Sequence, residues 1–147
     1  MKPFDISPYI GVPFLEHGRD PNGWDCWGSF YYLRKVGGEP VPCYSGRYDD
    51  VRDREQLDHL ISNEMSPWEK IEIYQAGFGD GVLLKIENLP VHIGFYLGNK
   101  QFLHVHAGIE TTVERLDSLF WKRRVEGLYR QRDVASNENP QRYRGEA

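Results

Sequence analysis

The sequence is poor in cysteine, has no long apolar run and carries no excess of positive charge. Each shortage removes a class of protein. The two cysteines in 147 residues, Cys26 and Cys43, are too few for a disulfide-built scaffold, and a reduced pair is the expected default. No stretch approaches the roughly 20 apolar residues of a membrane-spanning helix, so no membrane partner is expected. The N-terminal "MKPFDISPYI" lacks the apolar centre of a secretory signal. A protein working outside the cell would then leave by lysis or as part of a larger particle. Lys and Arg number 18 against 22 Asp and Glu, for a net charge of −4 and a pI near 5.7. That balance argues against nucleic acid as the main partner. The chain has no Cys-x-x-Cys and no His-Glu-x-x-His, so a metal is not expected.

What is present is a globular composition: 39% hydrophobic, 27% charged and 14% aromatic residues, enough for one domain with a real core. "DISPYIGVPF" reads as a short amphipathic segment, and "EHGRDPNG" (16–23) as a loop. Asp25 as N-cap and Gly37 as C-cap predict a helix from Asp25 to Val36. "DREQLDHLISNE" (53–64) predicts a second, with Leu57, Leu60 and Ile61 on one face. From there the period changes to two. "KIEIYQ", "GVLLKIE", "VHIGFYLG", "QFLHVHAG", "IETTVERL" and "RRVEGLYR" predict a meander of short strands. Helices followed by strands give an α+β domain over residues 1–130. The polar residues 131–147 are expected to form a flexible tail.

Cys26 stands at the start of the first helix, where unpaired N–H groups and the helix dipole favour a thiolate and could hold an oxyanion. The neighbouring Asp25 works against a thiolate, so a cationic partner would help. Cys26 is therefore either a buried structural thiol or a nucleophile. Gly28 inside the helix signals close packing or a tolerated irregularity. In "VHIGFYLG", Val91, Ile93, Phe95 and Leu97 share one strand face, and His92, Gly94, Tyr96 and Gly98 the other. In "QFLHVHAG", Phe102, His104 and His106 share the face opposite Leu103 and Val105. A hairpin across "GNK" would bring His92 near His104, or leave His104 and His106 on a solvated face. Cys26, His92 and His104 together match a nucleophile, base and orienter.

The wording of these segments resembles the NlpC-type cell-wall cysteine peptidases, a papain-like family. "GVPFLEHGRDPNGWDCWG", "GDGVLL" and "HIGFYLGNKQFLH" follow that family's order and spacing. "GRDPNGWDCWG", "YSGRYDD" and "WKRRVEGLYR" look like its branch in bacteriophage tails and gene-transfer-agent particles. The resemblance implies a papain-like α+β fold, with the nucleophile at a helix N-terminus packed on an antiparallel sheet. It implies Cys26 as nucleophile, His92 as base, His104 as the third residue, and no cofactor. Its implied substrate is peptidoglycan stem peptide. The implied partners are tail-tip or hub proteins of a phage-like particle, with synthesis in the bacterial cytoplasm. Asp25, Phe14, Trp27 and His17 fall where substrate contacts are expected. Phe14 replaces a common Tyr, His17 a common loop Gly, Trp27 a frequent Ser and Ser29 a frequent Leu. His106 matches no fixed position, Cys43 reads as structural or incidental, and "WKRRVEGLYR" as a solvated strand edge. The competing expectation is a structural or interaction protein of a tail assembly with a vestigial cleft. Acyl transfer by the same thiol ranks last.

Overall fold

Helix α1 spans Cys26–Val36 in the computed structural model, which describes residues 1–43 and 68–131. Asp25 starts it: its backbone is still extended (φ −94°, ψ −174°) while its carboxylate accepts from the Gly28 N–H, as a helix N-cap does. Arg34 and Lys35 lie in the last turn, where they complement the negative end of the helix, and Gly37 caps it. Both bounds are those that the sequence predicts. Ahead of α1, the segment predicted as a loop holds a small hairpin of β1 (Arg19–Asp20) and β2 (Gly23–Trp24). The amphipathic N-terminal segment contains one 3₁₀ turn, Ser7–Tyr9.

The second half is an antiparallel six-stranded sheet. Its strands are β3 (Trp68–Ile71), β4 (Gly81–Ile86), β5 (Leu89–Gly98), β6 (Gln101–His106), β7 (Ile109–Arg115) and β8 (Val125–Gln131), in spatial order β3-β8-β4-β5-β6-β7. Two tight turns, Glu87-Asn88 and Asn99-Lys100, have positive φ at both residues (52° and 68°, 54° and 61°). That is the turn whose twist suits a two-residue hairpin.

Two strand expectations need correction. The strand predicted over "KIEIYQ" stops at Ile71, and Ile73–Gln75 forms a 3₁₀ turn. Glu72 and Gln75 exchange side-chain to backbone hydrogen bonds there, so local bonds replace the ladder. The last strand is also no edge. β8 lies between β3 and β4, with Tyr129 opposite both Lys70 and Gly81. Its basic neighbours Lys122, Arg123 and Arg124 fall in the turn before it. The helix predicted at 53–64 and the tail beyond Gln131 lie outside the described residues.

Both faces of the sheet are covered. On one, Trp27, Phe30 and Leu33 of α1 pack with Trp68, Ile93, Phe95 and Leu103. On the other, Tyr96 and Phe102 pack with Val82, Leu84, Leu116, Trp121 and Leu128. A smaller cluster of Val12, Trp24 and Val105 joins the N-terminal segment to β6. There the Trp24 Nε1–H donates to Thr111 Oγ1 (2.8 Å), whose hydroxyl donates to the Val12 carbonyl (2.8 Å).

Gly28 is accounted for by close approach. A Cβ at this position would lie 1.9 Å from the Gly18 carbonyl oxygen, so α1 presses directly on the preceding loop backbone. Gly28→Ala is expected to destabilise the protein by about 2–3 kcal/mol, as overpacking does. At an unhindered helix position the same change would stabilise by about 1 kcal/mol. Urea unfolding of the two proteins decides the sign.

Candidate active site

The site begins at the first turn of α1. Asp25 is fully buried. Its Oδ1 accepts from the Gly28 N–H (2.8 Å) and from Arg19 Nη1 (2.9 Å), and its Oδ2 from the His17 N–H (2.9 Å). Arg19 also donates to the carbonyls of Gly18 (2.9 Å) and Cys43 (3.0 Å). Arg19 is thus the cation that the Asp25–Cys26 juxtaposition calls for. Only its location in a loop next to that pair marks it in the sequence.

Cys26 and Cys43 are both free thiols, and both are buried. Burial first, and then the Asp25 charge, push the Cys26 thiol up to about 12. Backbone hydrogen bonding from Ile93 and Trp27 and the charge of Arg19 work the other way. The thiol is therefore the resting form, and a nucleophilic role would require a base.

The strand side supplies imidazoles. His92 and His104 are buried at 3% and 0% exposure, and His92 Nε2 hydrogen-bonds His104 Nδ1 at 2.7 Å. The predicted approach of these two residues is thus present, and His104 is on no solvated face. His104 Nε2 in turn bonds the Glu114 carboxylate. Burial pushes His104 down, away from its cationic form; Glu114 opposes that and His106 adds to it. The His106 ring lies 5.6 Å from that of His92 and 5.7 Å from that of His104. The small residue beside His92 also has a use: a Cβ on Gly94 would meet Phe102 Cδ2 at 2.9 Å, and the Phe102 ring packs against His104 with centroids 4.9 Å apart.

Trp121 closes this face. It is 1% exposed, nearly parallel to His92 (17°, centroids 6.0 Å apart) and edge-on to His104 (88°, 5.2 Å). It covers the buried imidazole pair. Glu114 and Trp121 are the site residues that the sequence reading misses. Alternation along "IETTVERL" puts Thr112 and Glu114 on one face, and His104 opposes Thr112, so the β6–β7 register is the signal that locates Glu114.

Cys26 meets the strands through Ile93, the residue after His92. The ladder between β5 and β6 runs from Phe95↔Leu103 to Gly98↔Gln101, whereas β4 still opposes His92 through Leu84. Where β6 parts from β5, the Ile93 backbone faces the Cys26 sulfur.

The residues expected to touch substrate divide into two pairs. Trp27 is buried, with its Nε1–H donating to the Pro42 carbonyl (2.8 Å) and its ring against Phe30. Asp25 caps the helix. Both serve the fold. Phe14 and His17 are half-buried on the loop ahead of α1, Phe14 beside Trp24. His17 has φ +64°, a conformation in which glycine is unstrained; this explains why a glycine suits that position. Ser29 is buried and donates to the Cys26 carbonyl (2.9 Å). Among the described residues, no group of three or more His, Cys, Asp or Glu is arranged to hold a metal ion.

Comparison with known proteins agrees with this architecture. The sequence profile of the NlpC/P60 family matches residues 11–130. The chain is 23% identical over 128 residues to the probable peptidoglycan endopeptidase LytE of Bacillus subtilis, covering 86% of this chain and 32% of that protein. It spans about a third or less of the length of the curated relatives it matches. Among solved structures, an NLP/P60-family protein similar to lipoprotein from Staphylococcus aureus superposes with a TM-score of 0.62 at 19% identity, over 84% of this chain and 38% of that one. The peptidoglycan hydrolase RipB of Mycobacterium tuberculosis does so with a TM-score of 0.53 at 19% identity, over 83% and 58%.

The raised Cys26 pKa has a consequence for stability. Between pH about 9 and about 12 the unfolded chain releases the thiol proton while the folded chain retains it, so folding stability falls across that window. Tyr9 and Tyr129, both raised by burial, contribute in the same range. Cys26→Ala leaves the tyrosines in place and is expected to flatten part of the fall. Denaturant midpoints at pH 9, 10 and 11 check this; parallel curves for the two proteins would contradict it.

Proposed function

The chain belongs to the NlpC/P60 family of peptidoglycan endopeptidases, with its cysteine-peptidase fold, and from that premise we propose that it cleaves amide bonds in peptidoglycan stem peptides with Cys26 as nucleophile. His92 takes the Cys26 proton as the sulfur attacks the peptide carbonyl. The N–H groups of the first turn of α1 hold the developing oxyanion. His92 then returns the proton to the leaving amine, giving an acyl-Cys26 thioester that water hydrolyses with the same imidazole as base. His104 holds the base through its Nε2. The half-buried Phe14 and His17 lie on the loop that would form one wall for the peptide. The observation that carries this reading is the buried His92–His104 bond on the strand whose next residue, Ile93, faces the Cys26 sulfur.

The setting we infer is a phage tail or phage-like particle, where local opening of the wall aids penetration and the partners are tail-tip or hub proteins. The wording of "GRDPNGWDCWG" and "WKRRVEGLYR" supports it. A second reading, a structural tail component with an inert cleft, is favoured by the buried, protonated resting thiol.

Mass spectrometry of defined stem peptides separates the two readings. The wild type is expected to cut, and Cys26→Ala to lose cleavage by roughly 10⁴-fold or more while keeping its fold, as nucleophile removal does. Cleavage that persists in Cys26→Ala would remove the proposed nucleophile. No cleavage by the wild type, with Cys26 alkylated no faster than Cys43 and capture of tail proteins, would establish the structural reading.

A further inference from the structure

We propose that Glu114 is a positioning residue that sets the tautomers of both imidazoles and so makes Nδ1 of His92 the basic nitrogen. This rests on the peptidase reading for its substrate, but the chemistry follows from the hydrogen bonds alone. A neutral imidazole carries one N–H and one acceptor nitrogen. The Glu114 carboxylate is acceptor-only, so His104 must place its proton on Nε2, the nitrogen bonded to Glu114. His104 Nδ1 is then an acceptor, and the bond to His92 requires the proton on His92 Nε2. The remaining nitrogen of His92 is the one with a lone pair. A carboxylate two strands away from the base thus decides which nitrogen can take the thiol proton.

The sheet register builds this chain. His104 opposes Thr112, and Phe102 opposes Glu114, so Glu114 reaches His104 diagonally, a distance that long side chains span. His104 is fully buried and Glu114 is about one-third exposed on its side chain, so the carboxylate keeps some hydration while holding a dry imidazole. Trp121 covers the pair from above.

No proton needs to cross between the two imidazoles. When the Cys26 proton moves to His92 Nδ1, the imidazolium formed keeps its Nε2–H on His104, and the Glu114 charge stabilises it through that ring. When the leaving amine departs, the same proton moves from Nδ1 to the amine. With no acceptor at position 114, His104 can place its proton on Nδ1 instead. His92 Nε2 must then accept, its proton sits on Nδ1, and it cannot act as base. The loss is of the kind seen when a triad's orienting carboxylate is removed and the wrong tautomer forms.

The test compares wild type with Glu114→Leu in a Cys43→Ala background, and uses Glu114→Ala, which likewise lacks an acceptor, where the leucine variant does not fold. The first readout is the ¹⁵N spectrum of the histidine rings. The wild type is expected to carry Nε2–H on both His92 and His104, and the variant to populate Nδ1–H on His104. The second readout is Cys26 alkylation by iodoacetamide at neutral pH, which needs no peptide and is expected to fall about tenfold or more. On stem peptide, kcat is expected to fall by a similar factor with KM within about twofold. Wild-type rings protonated on Nδ1 of His104, or a variant with unchanged tautomers and alkylation rate, would overturn the role of Glu114. If tautomers and alkylation respond but no stem peptide is cut by the wild type, the substrate assignment fails and the role of Glu114 stands.

Discussion

One buried carboxylate organises the N-terminal half of the protein. Asp25 caps α1 through Gly28, anchors the loop through the His17 amide and pairs with Arg19. Arg19 extends that anchor to the Gly18 and Cys43 carbonyls, and Gly18 is the backbone against which Gly28 presses. Helix start, preceding loop and following segment are thus tied to a single side chain that has no access to water. A buried charge is tolerable only when it is paired and hydrogen-bonded, and removing one partner of such a pair typically costs several kcal/mol. The residue beside Cys26 is thus constrained by folding itself.

The sheet solves a different problem. A strand presents alternate residues to opposite faces, so His92 and Ile93 of β5 cannot both point at α1. Ile93 packs under the helix, and His92 joins the face covered by Trp121. The two layers communicate where β6 leaves β5. Beyond Phe95↔Leu103 the ladder ends, and the Ile93 backbone turns to the Cys26 sulfur. The parting of the two strands is where the helix on one face meets the strand that carries His92 on the other.

Much of this was legible in the sequence because it depends on local rules. Asp25 and Gly37 bound the helix by capping chemistry, and period-two alternation with short turns located most of the strands and the facing of His92 and His104. What was missed depends on long-range pairing. The placement of β8 inside the sheet follows from contacts with residues far apart in sequence, which no local pattern encodes. Glu114 and Trp121 became part of the site only through the β6–β7 register and the turn that folds Trp121 over the imidazoles. The strand expected at 70–75 failed for the opposite reason: Glu72 and Gln75 satisfy the backbone locally, and apolar alternation alone does not register that competition.

The same burial that fixes the geometry sets the energetics of the resting state. Apolar layers raise the Cys26 thiol to about 12 and lower His104, so a thiolate at the one and a charged ring at the other are both disfavoured. Under the proposed mechanism the path that fits this is proton transfer concerted with attack, in which negative charge would pass from sulfur to the oxyanion at the helix N-terminus as positive charge forms on His92. Along that path Arg19 and Glu114 would act as fixed counterions at opposite ends. Arg19 pairs with the Asp25 charge near the sulfur, and Glu114, bonded to His104, would support a developing imidazolium through that ring. A neutral resting thiol and a charge-separated transition state would then be served by one arrangement, and the residues that distinguish them lie behind Cys26 and His92, on the segment ahead of α1 and on β7.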